Sequence, residues 1–166
     1  MTFHHSFLTR SLTLGLLVIA AVGCSRLNAS GLLNLAQVSA TDTLPAIEVF
    51  RSESCGCCGQ WVKHMQEAGF TVSETITEDM DAIKQQHGVT DELASCHTAI
   101  ADGYVIEGHI PAEDVQRLLT EKPDVTGIAV PGMPIGSPGM EVGDEREPYA
   151  VLSFKGEMIE TFAEHP

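Results

Sequence analysis

The sequence is short of aromatic residues, short of cations, and without an apolar run long enough to span a bilayer comfortably. Aromatics make up 5% of 166 residues against an ordinary 43% hydrophobic content, which predicts a mostly aliphatic core. Lys and Arg together number 9 against 23 Asp and Glu, a formal net charge of -14. That balance excludes a nucleic-acid partner, because phosphate binding needs a basic face. Acidity of this kind keeps a protein soluble and attracts cations weakly and non-specifically. No Ser/His/Asp grouping has a convincing context. Gly132, Gly136 and Gly139 lack the strand–helix setting of a phosphate or dinucleotide loop. There is no internal repeat and no block of like charge, and the length suits one domain after removal of a leader.

That leader is residues 1–40, followed by a domain over 41–166. His4, His5 and Arg10 precede the apolar stretch from Leu12 to Val22, and no Asp or Glu occurs before Asp42. A charged start and an apolar run of about 11 residues form the pattern of a secretory signal. Two cleavage sites compete. Val38-Ser39-Ala40 has the small-x-small form of an ordinary signal, and Ala21-Val22-Gly23-Cys24 resembles a lipoprotein box that would anchor the chain through Cys24. Both predict a periplasmic or otherwise exported protein. Loss of Arg10 and Arg26 leaves 7 cations against 23 acids, or -16. Thiols outside the cytoplasm oxidise unless a metal or a reducing partner protects them.

Thiols are what the domain has in unusual density. Cys55-Gly56-Cys57-Cys58 places three cysteines in four residues, preceded by a short strand at 46–50 and followed by a weakly amphipathic helix at 59–68. Strand, cysteine turn and helix is a thioredoxin-like arrangement, in which the helix N-terminus lowers thiol pKa values. Cys55 and Cys58 have the spacing of a redox pair. Cys57 is one too many for that task, and a third thiolate fits a soft metal better.

The rest of the chain predicts the thioredoxin order β-α-β-α-β-β-α. Gly69 caps the first helix, 70–76 is a strand, and Thr77 caps a helix from 78 to 87. Residues 98–101 and 104–107 form a hairpin around Asp102-Gly103. Pro111 opens a third helix whose buried stripe is Val115, Leu118 and Leu119. Residues 127–143 form a Met/Pro/Gly-rich loop, and 149–154 with 158–162 an extra C-terminal hairpin. An alternative makes that last hairpin the domain's own third and fourth strands.

In this order Cys96, 38 residues beyond Cys58, stands just before the third strand. Thioredoxin-like redox proteins place a cis proline there, facing the cysteine turn. Four thiols would converge, able to hold zinc tetrahedrally or copper(I) at low coordination or in a small cluster. Met133 and Met140 supply two neutral thioethers in the loop, soft donors suited to copper(I). His109, at the end of a strand, and His97 are candidate ligands or donors to ligands. His64 and His87 read as solvated helix residues, and His165 as part of the tail.

Taken together, Cys55 to Trp61, Cys96-His97-Thr98-Ala99, Gly103 to Pro111 and Val130 to Glu141 resemble the CopG-type copper-resistance family of exported thioredoxin-like metal-binding proteins. The resemblance covers about residues 46–162. It implies a periplasmic copper role, with Cys55, Cys57, Cys58 and Cys96 as the thiolate set and the methionine loop at Met133 and Met140. The expectation is therefore a copper(I)-binding protein of the envelope, with zinc as the second metal, other copper-handling envelope proteins as partners, and copper redox activity in addition. Thiol–disulfide exchange through Cys55 and Cys58 is the competing function.

Overall fold

A computed structural model describes residues 44–166; the leader, Cys24 and both cleavage sites lie outside the described residues. The elements are β1 (Ile47–Arg51), α1 (Gly56–Glu67), β2 (Val72–Ile76), α2 (Met80–Gln86), β3 (Thr98–Ala101), β4 (Tyr104–Glu107), α3 (Ala112–Glu121), β5 (Gly127–Ala129), β6 (Tyr149–Lys155) and β7 (Met158–His165). They build an α/β domain on one mixed sheet of order β2-β1-β3-β4-β5-β6-β7. The first seven elements follow the predicted β-α-β-α-β-β-α run. Strand β3 lies antiparallel to β1, so the residues before β3 reach the end of the sheet where α1 begins.

Local chemistry explains most boundaries. Asp102 and Gly103 both have positive φ (49° and 85°), the two-residue turn that matches strand twist, and Ala101 pairs with Tyr104 across it. Gly69, at φ 95°, takes the left-handed position just past α1. Helix α2 starts later than predicted. Asp79, not Thr77, is its cap, accepting from the Ala82 N–H, while the Thr77 hydroxyl accepts from the Asp79 N–H. Pro111 is the cap of α3 rather than its first helical residue.

Alternate residues along the strands face two apolar clusters, one on each side of the sheet. Ile106 and Ile128 join Trp61, Val62 and Met65 of α1 and Val115, Leu118 and Leu119 of α3. Val105 and Ala129 join Val89, Leu93 and Phe154. The core is largely aliphatic, as the composition implies; Trp61, Phe70 and Phe154 are its aromatic members among the described residues.

The predicted loop at 127–143 is corrected at its start. Residues 127–129 form β5, parallel to β4 and antiparallel to β6, and this short strand joins the C-terminal hairpin to the main sheet. A Cβ at Gly127 would run into the Val105 carbonyl, so only glycine permits this approach. Among the described residues no helix is long and apolar enough to cross a membrane.

Candidate metal centre

Helix α1 begins at Gly56, three residues earlier than predicted, so Cys57 and Cys58 lie in its first turn. The Cys55 side chain is the reason: its sulfur accepts from the Cys58 N–H at 3.3 Å and caps a start that two glycines would otherwise disfavour. Cys55 and Cys58 are joined as a disulfide, with Cα atoms 5.4 Å apart, while Cys57 and Cys96 form no disulfide among the described residues. Cys57 Sγ is 3.5 Å from Cys55 Sγ and 3.8 Å from Cys96 Sγ. All four sulfurs lie within 4.8 Å of one another.

Cys96 reaches this place through backbone geometry. The Gly108 N–H donates to the His97 carbonyl at 3.0 Å, closing the end of the β3–β4 pair. Gly108 has φ 79°, and a Cβ there would sit 2.6 Å from the Val130 carbonyl and 2.5 Å from Ser95. Burial first, and the neighbouring Cys57 second, push the Cys96 thiol up to about 12. Its sulfur lies 2.9 Å from His109 Nε2. His109 Nδ1 is 2.8 Å from the Pro138 carbonyl, which can only accept, so Nδ1 carries the ring proton. Nε2 therefore presents a lone pair to Cys96, whose S–H donates to it. Burial lowers the His109 pKa and favours this neutral ring. A soft cation entering here would replace one thiol proton and meet an imidazole nitrogen already turned towards it.

His97 is fully buried beside them. Its ring packs on Trp61 at 4.5 Å between centroids and stands edge-on to His109 at 5.0 Å. Burial, then His109, holds its pKa well below the usual value. Nδ1 is 3.8 Å from Cys96 Sγ, and Nε2 has no hydrogen-bond partner among the described residues. Cys96, His97 and His109 form a second group whose donor atoms converge.

The methionine loop reaches the centre through its backbone. Pro138 and Gly139 lie against the start of α1: a Cβ on Gly139 would stand 2.7 Å from the Cys57 carbonyl and 2.9 Å from the Trp61 nitrogen. Bonds from the Gly136 N–H to the Met140 carbonyl and from the Ile135 N–H to the Glu147 carboxylate brace the loop. Met140 is half-buried next to Gly139, and Met133 is 52% exposed.

Two histidines and one buried ion pair depart from the sequence reading. His64 is not a solvated helix residue; its Nε2 accepts from the Ala112 N–H at 3.1 Å and ties α1 to α3. His165 is not loose tail; its Nε2 meets the buried Asp114 carboxylate at 2.7 Å, and its ring stacks on Tyr149. The buried Glu107–Lys84 pair beneath Cys96 went unread. Its signal was faint: a carboxylate closing the apolar run Tyr104-Val105-Ile106.

A family profile described as "Protein of unknown function, DUF411" matches residues 93–140. Among curated proteins none matches the sequence. Two solved structures are similar to this chain. One, described as "Copper resistance protein copG- Form 2", is 44% identical with a TM-score of 0.71, over 74% of this chain and 99% of that one. The other, "Copper resistance protein copG- Form 1", is 44% identical with a TM-score of 0.70, over 74% and 98%.

Proposed function

The chain belongs to the CopG-type copper-resistance family, and from that premise we propose that it is an exported copper(I)-binding protein whose cargo sits among Cys55, Cys57, Cys58, Cys96 and His109. One observation carries the reading: four sulfurs from two distant parts of the chain lie within 4.8 Å, those of Cys55 and Cys58 becoming thiolate donors once their disulfide is reduced, with an imidazole lone pair 2.9 Å from one of the four. Thiolates select copper(I) and zinc over harder cations, neutral thioethers add to the copper(I) preference, and imidazole suits either metal. Met140 and Met133 extend the donor set from the loop, with Met133 on the solvent side as the point of entry.

Residues 1–40 are the export leader and 41–166 the functional domain, acting in the periplasm with other copper-handling proteins of the envelope. Cleavage after Ala40 is the preferred reading, with a lipid anchor at Cys24 as the competing one. Intact mass of the exported protein separates the two.

Copper redox activity is part of the proposal, and the Cys55–Cys58 disulfide supports it. Closing the reduced pair forms one S–S bond and releases two protons and two electrons. Two copper(II) ions take those electrons and become two copper(I) ions. Plain thiol–disulfide exchange through the same pair has the disulfide in its favour as well. Against it stand Cys57, 3.5 Å from Cys55 and able to capture either partner, and Cys96, a metal-type donor facing the pair. The deciding experiment is metal analysis with a thiol count on protein purified anaerobically from the envelope. Copper with all four site thiols reduced supports the proposal. A metal-free protein that keeps the Cys55–Cys58 disulfide supports exchange.

A further inference from the structure

A buried carboxylate lies under the Cys96 loop and holds it from both sides. Glu107, the last residue of β4, is fully buried, as is Thr98, and Lys84 of α2 is 9% exposed. Glu107 Oε1 accepts from Lys84 Nζ and from the backbone N–H of Ser95 at 2.7 Å. Oε2 accepts from the Thr98 hydroxyl at 2.7 Å, and Lys84 Nζ also donates to that hydroxyl at 3.2 Å. Ser95 immediately precedes Cys96, and Thr98 follows His97. One side chain thus clamps the residues on either side of the Cys96-His97 dipeptide. The Ser95 hydroxyl in turn donates to the Gly132 carbonyl, and the Gly132 N–H to the Ala94 carbonyl, so the same clamp reaches the methionine loop.

Stability alone does not account for this arrangement. Desolvating two charges costs about as much as their attraction returns, and a well-packed apolar pair of the same size often does as well. An apolar pair, however, offers no acceptor to Ser95. Residues 88–97 run between α2 and β3 without regular structure, so their buried N–H groups depend on acceptors elsewhere in the fold. Removing the carboxylate frees Ser95 and lets the Cys96 sulfur drift from Cys57 Sγ and His109 Nε2, which stand 3.8 Å and 2.9 Å from it.

We propose that Glu107, neutralised by Lys84, is the positioning residue that holds Cys96 in place for copper(I). The inference rests on the copper(I) reading above and adds to it a residue that touches no metal. Partners that orient a ligand contribute to affinity because the site then needs no reordering when the ion arrives.

Two double variants separate position from charge and packing. Lys84→Met/Glu107→Gln is neutral and keeps an acceptor for Ser95 in the Gln Oε1, while its amide N–H₂ can donate to the Thr98 hydroxyl. Lys84→Met/Glu107→Leu is equally neutral but has no acceptor. Copper(I) affinity of the reduced proteins is read by competition with a copper(I) chelator, with metal-free melting temperatures beside it. We expect wild-type affinity in the Gln variant and a loss of about tenfold or more in the Leu variant, the usual size for removing a ligand's orienting partner. Equal affinities in the two variants would overturn the proposal. Where the Leu variant fails to fold, Thr98→Val decides. It removes one arm of the clamp and should weaken copper(I) binding; wild-type affinity there overturns the proposal too. Wild type and Cys96→Ser run alongside. If those two bind copper(I) equally, the copper reading at Cys96 has failed, and the positioning role falls with it.

Discussion

Gly139→Ala tests whether the methionine loop is a working part of the centre. Gly139 has φ 86°, and an added methyl would lie 2.7 Å from the Cys57 carbonyl and 2.9 Å from the Trp61 nitrogen, both backbone atoms of α1. The left-handed conformation costs an alanine about 1–2 kcal/mol. Overpacking against a rigid helix adds about 1–3 kcal/mol. The sum, about 2–5 kcal/mol, corresponds to a fall in Tm on the order of 10 °C for a domain of this size. Relief comes most easily by moving the loop outward, which draws the Pro138 carbonyl from His109 Nδ1 and releases the ring orientation. Copper(I) affinity should therefore fall about tenfold as well. Gly156→Ala, in the turn between β6 and β7, is the control. It has φ 58° and nothing among the described residues within 4 Å of an added Cβ, so it carries the conformational cost alone. Calorimetry of the metal-free proteins and chelator competition of the loaded ones measure both effects. Equal Tm and equal affinity in the two variants would refute the contact between loop and centre.

Cys96→Ser should lower copper(I) affinity at least tenfold, about 1.4 kcal/mol, with little change in the metal-free Tm; the exposed Lys63→Ala is the control, and equal affinity in both would place Cys96 outside the ligand set. Copper(I) affinity should also rise with pH. Burial and Cys57 hold the Cys96 thiol at about 12, so it is protonated throughout the neutral range and must release its proton on binding. That group alone gives about a tenfold rise per pH unit, and a flat profile between about pH 6 and 8, corrected for the chelator, contradicts it. In an insulin-reduction assay the reduced protein should be a poor catalyst, because Cys57 lies 3.5 Å from Cys55 and captures mixed disulfides; turnover like that of an ordinary thioredoxin, unchanged by copper, favours the exchange reading.

What could be read from sequence was whatever has a local signature or a fixed place in a known order of elements. Asp102-Gly103 is a turn for local steric reasons, and Gly69 ends α1 for the same kind. Cys96 belongs beside the cysteine turn because the third strand of a thioredoxin-like sheet lies beside the first and starts at the end where the turn sits, and the sulfurs do meet there. The start of α1 was misplaced because the Cys55 sulfur acts as a cap, a role that propensity does not assign to cysteine. Strand β5 went unread because three residues between Pro123 and Pro131 carry no alternation, and its existence depends on a glycine fitting against Val105. The His64–Ala112, His165–Asp114 and Lys84–Glu107 contacts join residues 23 to 51 positions apart. Partners at such distances are chosen by the packing, and no pattern along the chain announces them.

The central claim is that this sulfur-rich centre takes copper(I) in preference to zinc. The most direct measurement takes the fully reduced, zinc-loaded protein under anaerobic conditions and adds copper(I) buffered by a copper(I)-specific chelator while zinc release is followed. Copper(I) should displace the zinc at a free copper(I) concentration far below that of free zinc. Zinc remaining bound while the chelator keeps all the copper would contradict the claim.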